Sequence, residues 1–145
     1  MKKIFFLFLL ITTITIFVGC SNNVPLRGKV TFSDDGMPLP SGLVRFENET
    51  IISKGMIGSD GTYVLGTMSE KDGIPKGTYR VAVISEVEDP SGKEFQMGTG
   101  RDGKPIILKR TVSLIAAKYN TSQTSGITCT VDGSSKKFDF SVDRK

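Results

Sequence analysis

The feature that most constrains the fold is a two-residue rhythm of apolar and polar side chains, recurring between clusters of glycine, proline and aspartate. Successive side chains of a strand point to opposite faces, so this rhythm marks half-buried strands. Leu26, Gly28, Val30 and Phe32 fall on one face, and Arg27, Lys29, Thr31 and Ser33 on the other. Residues 34–42, with Asp34, Asp35, Gly36, Pro38 and Pro40, are rich in turn formers and cannot continue a ladder where proline lacks a donor. A second strand follows with Val44 and Phe46 inward, and residues 51–57 have strand composition with imperfect alternation. Ser59, Asp60 and Gly61 form a tight turn before Tyr63 and Leu65. The turn at Ile74, Pro75, Lys76 and Gly77 launches the strongest strand, with Tyr79, Val81 and Val83 inward, which is expected to lie centrally. Two more strands present Ile127, Cys129 and Val131, then Phe138, Phe140 and Val142.

Between residues 86 and 109 the chain turns polar and glycine-rich, and it reads as one long exposed loop. Ile106, Ile107 and Leu108, then residues 111–116, read as resuming the sheet at its edge. Nothing after Cys20 holds helical periodicity over ten residues. The expectation is an all-β domain over residues 26–145, a single immunoglobulin-like sandwich of about seven strands.

The first twenty residues obey a different rule. Lys2 and Lys3 precede an uncharged apolar run from residue 4 to 18, interrupted only by Thr12, Thr13 and Thr15, and the run stops at Gly19 and Cys20 before Ser21, Asn22 and Asn23. A spanning helix needs roughly 20 apolar residues, so a cleaved signal over residues 1–19 fits better than a retained anchor. The sequence Phe17, Val18, Gly19, Cys20 resembles the lipobox of bacterial lipoprotein precursors, with Phe17 where an aliphatic residue is usual. That resemblance implies cleavage between Gly19 and Cys20, lipid attachment through the Cys20 thiol with palmitate-type acyl chains, and a linker over residues 20–25. Two acyl chains suffice for stable anchoring, so the protein is expected in the cell envelope, held to the membrane by lipid. Ser21 after the modified cysteine implies the outer membrane where two membranes exist. Cys129, the one other cysteine, then has no partner in the chain, and its place in an apolar alternation predicts a buried, inert thiol.

Three stretches carry a second resemblance. Residues 26–46 (LRGKVTFSDDGMPLPSGLVRF), 59–83 (SDGTYVLGTMSEKDGIPKGTYRVAV) and 118–142 (KYNTSQTSGITCTVDGSSKKFDFSV) resemble, in order, the opening, middle and end of carboxypeptidase regulatory-like, or transthyretin-like, β-sandwich domains of small bacterial lipoproteins. The resemblance implies that fold and carries no activity with it.

The chain has no histidine, which removes the usual general base, zinc ligand and triad partner. The histidine-dependent hydrolases built on the transthyretin-like fold, and the catalytic domain of zinc carboxypeptidases, are therefore not matched. Asp34 with Asp35, and Glu86, Glu88 and Asp89, are the paired carboxylates that an acid–base hydrolase would use. Their neighbours Gly36 and Pro90 favour turn chemistry instead. Neither Asp34, Asp35, Gly36 nor Asp60, Gly61 continues into a calcium-binding loop. Gly98, Thr99, Gly100 and Arg101 lack the following helix that would cradle a phosphate. The sequons at Asn48 and Asn120 are read as chance. Without Lys2 and Lys3 the basic residues fall from 19 to 17 against 15 acids, too balanced for nucleic acid.

These readings converge on a non-enzymatic envelope module that needs no cofactor or metal and binds an envelope protein or glycan through loops at one end of the sandwich, with residues 86–109 exposed. The alternative is a carboxylate-dependent hydrolase displayed on the envelope, and a purely structural role is a third reading.

Overall fold

In the computed structural model, which describes residues 22–145, the inward positions of the alternating segments are the buried ones. Val30 and Phe32 of β1 (Arg27–Phe32), and Val44 and Phe46 of β2 (Gly42–Glu47), are all but inaccessible. β3 (Ile52–Ile57) turns Ser53, Gly55 and Ile57 inward and leaves Ile52 and Met56 exposed. Its rhythm looked imperfect because two of its three inward residues are small, and a Cβ at Gly55 would stand 2.7 Å from the Val64 carbonyl oxygen. β4 (Thr62–Val64) and β5 (Gly77–Ile84) follow, the latter with Tyr79, Val81 and Val83 inside.

Seven strands form two principal sheets. One has the order β11-β1-β4 and the other β10-β5-β2-β3, with β10 at Ile127–Val131 and β11 at Phe140–Val142. The architecture is thus an all-β sandwich, with β5 between two neighbours as its apolar run requires. β11 pairs in parallel with β1, Val30 facing Phe140 and Phe32 facing Val142, while β4 pairs antiparallel on the other side. The sheets meet along one edge, where Lys54 and Gly66 exchange both backbone hydrogen bonds at 2.8 Å. Along the other, Ile115 bridges Arg144 beside β11, and a 3-10 turn (Ala117–Asn120) leads across to β10.

The core centres on aromatic rings. Phe46 lies 6.1 Å from Tyr63 and 5.9 Å, edge-on, from Phe138, and Phe138 lies 5.6 Å from Phe140. Buried phenols need partners: the Tyr63 hydroxyl donates to the Phe138 carbonyl at 2.6 Å and the Tyr79 hydroxyl to the Pro75 carbonyl at 2.8 Å. Gly28 makes the first bond reachable, because a Cβ there would sit 2.7 Å from the Tyr63 hydroxyl oxygen and closer still to the Phe138 carbonyl oxygen.

Residues 86–109 correct the expected loop. They form three strands, β6 (Glu86–Glu88), β7 (Glu94–Thr99) and β8 (Pro105–Lys109), and with β9 (Thr111–Ser113) they build a ribbon in which β6 pairs β9 and β7 pairs β8. Among the described residues the strands therefore number eleven rather than about seven. Residues 106–108 belong to this ribbon and not to a sheet edge. Of residues 111–116, the first three are β9, while residues 114–116 run antiparallel to 143–145 beside β11, the Ala116 amide donating to the Asp143 carbonyl at 3.0 Å and the Lys145 amide to the Leu114 carbonyl at 3.2 Å.

The ribbon leaves one end of the sandwich. At the other end Val24, where the described chain enters, exchanges hydrogen bonds with Ile74 at 2.7 and 2.9 Å, just before β5 begins. The eight residues of β5 then span about 25 Å to Ile84, from which the ribbon departs.

Candidate interaction surface

The ribbon is built from local turn chemistry. Residues 89–92 are inserted on one strand opposite Arg110 alone: the Asp89 carboxylate accepts from the Ser91 amide at 2.8 Å, Gly92 N–H bonds the Asp89 carbonyl at 2.9 Å, and Arg110 bonds back to Asp89 and Lys93. At the tip, Gly100 N–H donates to the Lys104 carbonyl at 2.7 Å and Gly103 N–H to the Gly100 carbonyl at 3.0 Å. The Gly98-to-Arg101 stretch is therefore part of a hairpin end, and the Gly100 amide is already committed within it.

Register decides the faces. Phe95 stands opposite Leu108 and Gly98 opposite Ile106, so Phe95, Leu108 and Ile106 share one face. Gln96 opposite Ile107, and Glu94 opposite Lys109, make the other. Met97 is the extra residue at a bulge between Gln96 and Gly98. Every residue of β7 and β8 is exposed, with Phe95 at 51%, Met97 at 71% and Leu108 at 42%. An isolated two-stranded hairpin is marginally stable in water, and a contiguous exposed apolar patch marks an interaction site.

Charge is divided along the ribbon. At its base Glu86 accepts from the Thr111 hydroxyl at 2.9 Å, Glu88 pairs Lys109 at 3.0 Å and Asp89 pairs Arg110 at 3.6 Å. The Glu88 carboxylate holds the Lys109 ammonium pKa above its usual range, and the Ser91 amide and hydroxyl, with Arg110, hold Asp89 below its own. At the tip Arg101 and Lys104 have no ion pair among the described residues, and Asp102 accepts the Lys104 amide at 3.3 Å.

A groove of about 630 Å³ lies on the outer face of the four-stranded sheet. Glu47, Arg80, Asn48, Ser122 and Thr128 line it. The Glu47 carboxylate accepts from Ser122 at 2.6 Å and pairs with Arg45, and these contacts hold its pKa below the usual range. An acid catalyst in the groove would need the opposite displacement. Asn48 serves its own turn, accepting from the Thr50 and Ile51 amides at 3.0 and 2.8 Å.

The paired carboxylates of the sequence are distributed among structural tasks. Asp34 and Asp35 grip Arg144 at 2.8 and 2.6 Å, and its guanidinium lies 3.5 Å from the Phe32 ring centroid. The Met37 amide and Arg144 hold Asp35 below its ordinary range. Glu86, Glu88 and Asp89 line the ribbon base and do not meet Asp34 or Asp35. Asp143, not singled out in the sequence, accepts from Lys118 at 2.6 Å, Ser33 at 2.6 Å and Tyr119 at 3.1 Å, which lowers its pKa to about 2. Among the described residues no three acidic or thiol groups are gathered as a metal site. Cys129 is free and buried, and burial raises its thiol pKa. Gly19 and Cys20, the cleavage and lipid-attachment positions, lie outside the described residues.

The candidate surface that sequence reasoning missed is the apolar ribbon face. Its signal was present in the alternation of Phe95 and Met97 with Glu94 and Gln96, but the glycine-rich tip overshadowed it. The described residues and their contacts define an all-β sandwich that projects an amphipathic β-ribbon. Comparison with known family models, curated proteins and solved structures finds no match.

Proposed function

We propose that the chain is a lipid-anchored protein of a bacterial cell envelope whose sandwich is a non-enzymatic support, presenting the β6–β9 ribbon to a partner at the membrane surface. The observation that carries this reading is the uncovered apolar face of Phe95, Ile106 and Leu108, with the exposed bulge residue Met97 beside it, on strands that touch solvent on both sides. The placement of the chain ends supports it. Three residues separate Cys20 from Val24, so an acyl group on Cys20 holds the Val24 end of the sandwich within four residue steps, roughly 14 Å, of the bilayer and directs the ribbon away from it. The resemblance of residues 26–142 to transthyretin-like lipoprotein domains agrees with a support of this kind, as does the engagement of the sequence's paired carboxylates in turns and ion pairs.

The test is a variant in which residues 89–110 are replaced by Asn-Gly, joining β6 directly to β9. Extracted from membranes in mild detergent, the unaltered protein is expected to sediment as a complex larger than one chain, and the shortened one as a single folded chain. Equal sedimentation of both would remove the ribbon from the binding role.

A further inference from the structure

Away from the ribbon, the sandwich exposes large apolar side chains near the end where the described chain enters. We propose that Met68 and Ile52 enter the surface of the bilayer that holds Cys20, so that the sandwich is docked on the membrane both by its acyl chains and by the 66–73 turn. This inference rests on lipid attachment at Cys20 and is independent of what the ribbon binds.

Met68 is 90% exposed, more than any other large apolar side chain among the described residues, yet its turn is firmly built. One Asp72 carboxylate oxygen accepts from the Thr67 amide at 2.6 Å and the other from the Met68 and Ser69 amides at 3.1 and 3.0 Å, while the Thr67 hydroxyl donates to the Gly73 carbonyl at 2.7 Å. A turn tied at these points holds Met68 outward instead of folding it under cover. Antiparallel register from the Lys54–Gly66 bridge, continued by a 2.6 Å bond between the Ser53 and Thr67 hydroxyls, brings Ile52 beside Met68. The two line one groove of about 350 Å³ with Lys54. Ile52 opens β3 at the Val24 end, since it stands opposite Glu47, which stands opposite Arg80 near the start of β5.

The path of the chain supplies the occupant. The turn leads through Gly73, where a Cβ would stand 2.5 Å from the Val24 carbonyl oxygen, to Ile74, which bridges Val24. Three residues separate Val24 from Cys20, so acyl chains on Cys20 keep the turn within reach of the bilayer, at an effective concentration that a diffusing protein partner lacks. Apolar side chains held there settle into the headgroup–acyl boundary, and the unbranched thioether of Met68 adapts to it. Lys54, Glu70, Lys71 and Asp72 flank the pair, two of each sign. Entry is therefore apolar rather than electrostatic, and the lysine stems reach from the boundary to the headgroups. Met56 lies on the same face of β3 as Ile52 but four residues nearer the ribbon, about 13 Å away, and stays in water. Met37, whose carbonyl accepts from Phe32 at the far end of β1, does the same.

Single cysteines in the protein purified from membranes and added to preformed phosphatidylcholine vesicles test this. A water-soluble maleimide is expected to react with Met68→Cys and Ile52→Cys at least tenfold more slowly than with Met56→Cys and Met37→Cys, although Met68 is the most exposed of the four in the structure. The difference is expected to persist when the protein is diluted in lipid and when phosphatidylglycerol is added. Protection that dilution in lipid relieves would overturn the bilayer in favour of a second copy. Protection seen only with phosphatidylglycerol would overturn apolar entry. Protection of Met56→Cys equal to that of Met68→Cys would overturn docking at the Val24 end. Four thiols reacting alike, in protein whose amino-terminal peptide carries lipid on Cys20, would overturn the docking and leave the anchor standing, whereas a chain without lipid there would overturn both.

Discussion

Gly28 shows how one missing side chain lets a phenol of β4 reach across β1 to the backbone that leads into β11. Its bare backbone lets the Tyr63 phenol reach the Phe138 carbonyl within the aromatic cluster. Gly28→Ala forces a methyl group into that bond and is expected to cost about 2 kcal/mol or more, read as a lowered midpoint of thermal or urea unfolding. Tyr63→Phe keeps the ring, loses the bond and should cost about 1 kcal/mol. Asp143 acts through charge: Lys118, Ser33 and Tyr119 hold its folded-state pKa at about 2, against 3.8 for the free group. A depressed carboxylate pKa contributes stability that is whole above about pH 4 and lost as the pH falls toward 2. Asp143→Asn should therefore melt below the unaltered protein at pH 6, and the gap should close as the pH falls from 4 to 2. Gly28 was legible as an inward strand residue, but its necessity was not, because the carbonyl it faces lies far along the chain. Asp143 looked like any terminal acid, since its three partners come from the β1 end and the 3-10 turn.

At the scale of elements, period two made β1, β2, β5 and β10 readable because each has one buried face and one wet one. β3 blurred because Ser53 and Gly55 fill inward places against a closely approaching β4. β7 and β8 were hard to place for the opposite reason: both faces meet solvent, so the alternation in β7 did not mark a buried side, and Ile106, Ile107 and Leu108 of β8 were assigned to the edge of the main sheet. The same exposure gives a prediction. Deleting residues 89–110 removes little that the sandwich buries, so its melting temperature should stay within about 2 °C of the unaltered protein. A loss of ten degrees or more would mean that the ribbon is part of the sandwich's stability. Asp34 and Asp35 make the contrary case: read as a candidate acid pair, they instead hold Arg144 and fasten that segment to the β1–β2 turn.

Over the whole molecule, the proposed anchoring end and the proposed binding end lie at opposite ends of β5. Val24 and Ile74 mark the first, and Ile84 and the ribbon mark the second, with β5 as the spacer. The sandwich could be anticipated from strand rhythm because both sheets must bury one face, whereas the direction of the ribbon required knowing where β5 starts and stops. The central claim is that this polarity is fixed to a membrane through Cys20. Mass spectrometry of the amino-terminal peptide from the membrane fraction, comparing the unaltered chain with Cys20→Ala, tests it directly. The expected result is a peptide beginning at Cys20 and carrying a diacylglyceryl mass that is absent from the variant. A chain retaining Met1, or one cleaved elsewhere and free of lipid, would contradict it.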